Sequence, residues 1–206
     1  MNVAILDYGM GNLRSVEKAF EHVGVPASVT RDHHAVRAAD GVVLPGVGAM
    51  PKAMEAVRRL GFDEVLRERR DADVPIVGIC MGMQLLFEST TEHGGADGIG
   101  LLEGPVEALD AQGLKVPHIG WNHVSWTRQS PLREGLPDPC AFYHVHSFAP
   151  RPANGEDVLG TAVYGSEFAS VVASPPVYGA QFHPEKSGPD GLRLLRNFAA
   201  LCAVAA

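Results

Sequence analysis

The sequence predicts an α/β fold: a central, mostly parallel sheet flanked by helices, with additional antiparallel strands in the second half. Two observations predict it. Up to Ile79, short and almost wholly apolar runs alternate with segments whose apolar residues recur at helical spacing, the pattern of parallel strands buried on both faces. From Gly94 onward glycine and proline multiply and short β-like runs follow one another, the pattern of hairpins that extend or flank a first sheet.

Val3-Ala4-Ile5-Leu6 is the first buried strand, and it ends in the tight loop Asp7-Tyr8-Gly9-Met10-Gly11-Asn12. Leu13, Val16, Phe20 and Val23 then mark one helix face, with Gly24 as the stop. Pro26 opens a second strand over 27–29, and a short helix is expected over 33–39. Gly41-Val42-Val43-Leu44 is the next strand and runs into Pro45-Gly46-Val47-Gly48; a helical zone over 50–70 follows, broken near Gly61. The fourth strand is expected over 74–79, with a helix over 83–88. In the second half, strands are expected at 115–116, 124–126, 141–148, 158–163, 168–173 and 177–182. A last helix over 191–202 carries Leu192, Leu195, Phe198 and Ala199 on one face.

The chain has 206 residues, 46% of them hydrophobic and 20% charged, which suits one domain spanning 1–206 with a sizeable core. With 17 basic and 24 acidic residues the formal net charge is −7, so no electrostatic footprint points to nucleic acid. The apolar runs are strand-length, well short of the roughly 20 residues a membrane helix needs. The first residues lack the basic and long apolar regions of a signal peptide. Three cysteines, Cys80, Cys140 and Cys202, make no disulfide framework. A soluble, cytoplasmic protein is the expectation.

Gly78-Ile79-Cys80-Met81-Gly82 stands where an apolar strand meets a helix. A cysteine here is either a small buried hydrophobe or a nucleophile, and the strand–elbow–helix setting favours the nucleophile. A thiol at a helix N-terminus is acidified by the macrodipole, and the Met81 N–H lacks an intrahelical acceptor and is available to an oxyanion. Cys140 and Cys202 have no such setting and are assigned to the core. The nucleophile needs an imidazole, and the imidazole an acid. His22, His33 and His34 read as polar surface. His183 ends an apolar run in Phe182-His183-Pro184-Glu185, at a strand's carboxyl end like Cys80. On spacing alone, a His183–Glu185 pair and a charged surface turn stand about level. His144 and His146 share one strand face and with His183 suggest a metal site, but no H-E-x-x-H or C-x-x-C spacing accompanies them. No metal and no organic cofactor is therefore assigned. Pro45-Gly46-Val47-Gly48 lacks the Lys-Ser/Thr of a phosphate loop; beside Cys80 it reads as a rotatable backbone that can offer an oxyanion donor, and without Cys80 as a plain turn.

With Cys80, His183 and Glu185 in that order, the chain resembles the class I (triad) glutamine amidotransferases. PGVGAM at 45–50, GICMGMQLL at 78–86, PHIGWN at 117–122, FYHVHSF at 142–148 and GAQFHPEKS at 179–187, with DYGMGN at 7–12, narrow the resemblance to the glutaminase subunits of imidazole glycerol phosphate synthase. The blocks span essentially the whole chain. The resemblance implies that glutamine is hydrolysed through a thioester on Cys80, with His183 as base and then acid and Glu185 orienting it. It implies an oxyanion hole from the amides of Gly48 (or Val47) and Met81. Gln84 and Glu92 would hold the glutamine head group, assisted by backbone at Ser147 and Phe148. It further implies a heterodimer with a (βα)₈-barrel cyclase, which uses the ammonia to make imidazole glycerol phosphate and AICAR in histidine biosynthesis. Tyr143 and Lys186 would gate ammonia passage, and Asn12, Pro117, Trp121 and Asn122 would face the barrel. Met81 after the nucleophile and His144 within the FYxVHS block are local departures. The glycines flanking Val47 suggest an oxyanion peptide mis-oriented in the isolated chain.

Overall fold

A computed structural model describes residues 1–205, with the side chain of Ala205 left aside. The first half runs β1 (Val3–Leu6), α1 (Leu13–His22), β2 (Ala27–Thr30), α2 (His33–Arg37), β3 (Gly41–Gly46), α3 (Met50–Arg59), α4 (Phe62–Asp71), β4 (Ile76–Cys80) and α5 (Met81–Leu85). The second half is mostly strand: β5 (Ser89–Thr90), β6 (Ala96–Asp97), β7 (Pro105–Ala108), β8 (His118–Trp126), β9 (Cys140–His146), β10 (Phe148–Pro150), β11 (Val158–Tyr164), β12 (Ser166–Ser174) and β13 (Val177–Ala180). The long helix α6 (Gly188–Ala205) closes the described chain.

Among the described residues, nine strands form one sheet in the order β2-β1-β3-β4-β13-β12-β11-β8-β9. The β2-β1-β3-β4-β13 part is parallel, and the remainder is antiparallel. The alternation within each apolar strand explains the two layers. Val3 and Ile5 of β1 pack with Phe20 of α1 and Phe198 of α6, whereas Ala4 and Leu6 pack with Val57 of α3 and Leu66 of α4. A strand apolar on both faces has to sit centrally, and β1, β3 and β4 do, each buried at every position. Of the second-half strands, β8, β9, β11, β12 and β13 extend the first sheet.

Several boundaries differ from expectation. The helix after the fourth strand begins at Met81 rather than Met83, because the chain turns into it at Cys80 with no linker. Residues 115–116 form no strand; they precede Pro117, which has no N–H for a ladder, and Val116 is exposed. The run over 141–148 is broken at Ser147, so that β9 joins the large sheet while β10 joins a second sheet of order β10-β7-β5-β6. That smaller sheet was not expected: its strands β5 and β6 have two residues each, too few to show a period.

The β4–α5 elbow is held from beneath by close backbone packing. A Cβ on Gly82 would collide with the Leu44 carbonyl of β3, and a Cβ on Gly78 would stand 2.6 Å from the Met83 Cα. Gly155, by contrast, has open space around it. Gly82→Ala is therefore expected to destabilise the fold by about 2 kcal/mol or more, and Gly155→Ala by under about 0.5 kcal/mol. Urea denaturation of the two variants checks this; equal midpoints would refute the packing argument.

Candidate active site

The three parallel strands β3, β4 and β13 end at one rim, the place where open α/β sheets gather ligands. A cavity of about 300 Å³ opens there, lined in the first half of the chain by Val47, Gly48, Cys80, Met81, Gln84 and Glu92. From the second half, Pro117, Val145, His146, Ser147, Phe148, His183 and Lys186 line it.

Cys80 has φ +55° and ψ −113°, a left-handed conformation that costs a non-glycine residue of order 1–3 kcal/mol. It is tolerated because β4 is hydrogen-bonded on both sides, to β3 and to β13, and because α5 starts at the next residue. The strain lifts the side chain off the strand end into the cavity. Its sulfur lies 3.6 Å from the Val145 carbonyl and 3.9 Å from Gln181 Nε2. Met81, the first residue of α5, has no intrahelical acceptor for its N–H.

His183 follows β13 and is held by its own amide, which donates to the Tyr143 carbonyl at 2.9 Å. Its Nδ1 stands 2.9 Å from Glu185 Oε1, and both side chains are nearly excluded from water. A carboxylate accepts, so Nδ1 carries a hydrogen and Nε2 is the nitrogen available to the sulfur. Burial opposes charge on this ring, but the neighbouring Cys80 and Glu185 side chains outweigh it and push His183 up to about 9. Ser187 braces the loop: its hydroxyl donates to the His183 carbonyl at 2.7 Å and accepts from the Tyr143 amide at 3.0 Å. The arrangement has what acyl transfer needs: a sulfur, an imidazole beside it and a buried carboxylate behind.

The loop after β3 is tied at both ends. The buried Tyr8 hydroxyl donates to the Pro45 carbonyl at 2.7 Å, and Glu92 Oε2 accepts from the Met50 N–H at 2.7 Å, capping α3. Between these anchors Gly48 has φ +100° and Val47 is 41% exposed at the rim. Glu92 thus lines the cavity as expected but also fastens the loop. Gln84 donates from Nε2 to the Phe148 carbonyl at 2.9 Å and to Gln181 Oε1 at 3.1 Å, which turns its own Oε1 outward as an acceptor.

Of the residues expected to face a partner, Pro117 and Lys186 line the cavity. Trp121 is 58% exposed on β8, with the Tyr143 ring beside it at 6.2 Å. Asn122 donates to the Val163 carbonyl at 2.9 Å. Asn12 stands at the start of α1, its Oδ1 accepting from the Ser15 hydroxyl. His144 and His146 do share the buried face of β9, but His183 is not grouped with them as a ligand set: their ring nitrogens are engaged with Phe142, Ser170, His118 and Phe148. His33 is half-buried rather than plain surface, 2.7 Å from the Leu60 carbonyl and packed on Phe62. Cys140 and Cys202 are wholly buried, and burial pushes each thiol up to about 12.

Three contributors escaped the sequence reading. Gln181, fully buried beside Cys80, was signalled only by one amide inside the apolar run over 177–182. Tyr8 and Ser187 stood within quoted motifs, with nothing local to show that each would brace a loop.

The glutamine amidotransferase class-I family model matches residues 4–202. The imidazole glycerol phosphate synthase subunit HisH of Pseudomonas syringae pv. syringae is 47% identical over 205 residues, covering 96% of each chain. The HisH subunit of Moorella thermoacetica is 47% identical over 199 residues, covering 97% of this chain and 94% of that one. A crystal structure of a glutamine amidotransferase superposes with a TM-score of 0.77 at 22% identity, covering 98% of both chains, which speaks for the fold. The chain belongs to the class I glutamine amidotransferases, among the HisH subunits of imidazole glycerol phosphate synthase.

Proposed function

We propose that the cavity at the β3–β4–β13 rim hydrolyses glutamine to glutamate and ammonia, as the glutaminase subunit of an imidazole glycerol phosphate synthase in histidine biosynthesis. The observation that carries the reading is that the Cys80 sulfur and the His183 ring line one cavity, with the buried Glu185 carboxylate 2.9 Å from the ring's Nδ1. A charged imidazolium favours a sulfur anion by Coulomb attraction. The sulfur attacks the side-chain amide carbon of glutamine, and the charge on the carbonyl oxygen is met by the amides of Met81 and of Gly48 or Val47. His183 gives its proton to the departing nitrogen, which leaves as ammonia, and a thioester remains on Cys80. Water, deprotonated by His183, then releases glutamate and restores the thiol. Gln84 and Glu92, with the backbone at Ser147 and Phe148, hold the amino-acid head group.

Ammonia is useful only before it meets a proton, so the reading calls for a partner sealed against the cavity mouth. The chemistry of β8 suits docking: Trp121 and Ile119 are more than half exposed, and Pro117, which leads into the strand, lines the cavity together with Lys186. A (βα)₈-barrel cyclase is the partner proposed, with Tyr143 and Lys186 at the ammonia passage and Asn12, Trp121 and Asn122 on the docking side.

Cys80→Ala is expected to abolish glutamine-dependent synthesis in the complex, by a factor of at least about 10⁴, while synthesis from added ammonium persists. Steady-state assays with each nitrogen source check this, and equal loss with both would sink the assignment. The isolated chain should hydrolyse glutamine about 10²–10³-fold more slowly than the complex, the cost of one missing oxyanion donor. Equal rates would refute a rotated peptide at Val47.

The charged ring also makes stability depend on pH. The folded value of His183, about 9, lies above its ordinary 6.5. Stabilisation from the protonated ring is therefore complete below pH 6.5 and lost as pH rises through about 9. Glu185→Gln and Cys80→Ala should each lower the His183 titration midpoint in NMR and flatten the fall in urea stability across that window. An unmoved midpoint in both variants would show that neither group holds the proton.

A further inference from the structure

The buried face of β8 and β9 carries imidazoles that the chemistry at Cys80 does not use. His118 lies opposite His146 in the strand register, and its Nδ1 stands 3.0 Å from His146 Nε2. His146 Nδ1 stands in turn 2.9 Å from the Phe148 carbonyl. Burial holds His146 down to about 4 and keeps His118 below its ordinary value, so both rings are neutral near pH 7. A neutral ring has one donor and one acceptor nitrogen, and a carbonyl only accepts. His146 therefore carries its hydrogen on Nδ1, its Nε2 accepts, and His118 must donate from Nδ1. The remaining His118 Nε2 faces Asn122 Nδ2 at 3.5 Å, the outer limit for a hydrogen bond. One carbonyl fixes the direction of the whole row.

The same carbonyl fixes a second row. It accepts from Gln84 Nε2, whose amide also donates to Gln181, and Gln181 Nε2 lies 3.9 Å from the Cys80 sulfur. With two donors on its two lone pairs, the Phe148 carbonyl cannot rotate without breaking both rows. In an extended strand the N–H and C=O of one residue lie on the same edge, so the Phe148 amide is turned to this side as well.

We propose that His146 is a positioning residue for glutamine hydrolysis: its Nδ1–H on the Phe148 carbonyl holds the strand edge and the Gln84 amide that receive the substrate, and His118 locks its tautomer. This rests on the reading of the cavity as the glutamine site.

The test uses the complex with the cyclase partner. His146→Leu removes the donor at similar bulk, whereas His146→Asn keeps an N–H near the Nδ1 position. The leucine variant should raise the glutamine KM about tenfold or more with a smaller change in kcat, and the asparagine variant should restore KM to within about threefold. Ammonium-dependent synthesis reports folding and docking in each variant. In the native complex, ¹⁵N-histidine NMR at pH 7 should show His118 and His146 both neutral with hydrogen on Nδ1. Should His146→Leu fail to fold, the asparagine variant and the ring tautomers decide. An unchanged KM in the leucine variant, an equal rise in both variants, or an Nε2–H tautomer on His146 overturns the proposal. A native complex that does not turn over glutamine would instead overturn the glutaminase reading, and the tautomers would still test the row.

Discussion

The whole rim is organised by the backbone of Cys80. A non-glycine residue at positive φ is stable only where its neighbours leave it no alternative. Here β4 is locked between two parallel neighbours, and the next residue is already helical. Relaxing the elbow would require unpairing the middle of the sheet or sliding α5 into the Leu44 carbonyl, against which Gly82 is packed. The strain is thereby sustained by the ladder hydrogen bonds of a strand buried at every position, and the thiol stands at the cavity while its strand stays in the core.

Around that fixed point, polar groups are held in a setting where each hydrogen bond has a forced direction. Glu185 meets His183 away from bulk water, where electrostatic attraction is less screened than at the surface. Glu92 meets the positive end of α3 and so restrains the loop that carries Val47 and Gly48. Neither carboxylate belongs to an ordinary surface ion pair; each has a buried or part-buried donor, Glu92 lining the cavity and Glu185 standing behind the His183 ring.

Much of this was legible in the chain. The parallel half announced itself because doubly buried strands must be apolar throughout, and the elbow because glycines bracket a cysteine between strand and helix. His183 and Glu185 were nameable as a pair, but spacing alone could not distinguish a buried dyad from a charged turn; only the fold brings residues 80 and 183 to one rim. The smaller sheet was illegible because strands of two residues carry no period. The imidazoles of β9 were visible as an alternation, yet the acceptor of His146 depends on a break at Ser147 that sends Phe148 into another sheet. Buried braces such as Tyr8 and Ser187 act across 37 and 44 positions of the chain, a range at which local pattern says nothing.

The two sealed thiols have a practical consequence. Cys140 and Cys202 are closed off from solvent and resist ionisation, with the Cys202 sulfur lying where a Gly41 side chain would have been. Of the three cysteines, only Cys80 borders the cavity, so a molecule that enters the cavity meets a single thiol.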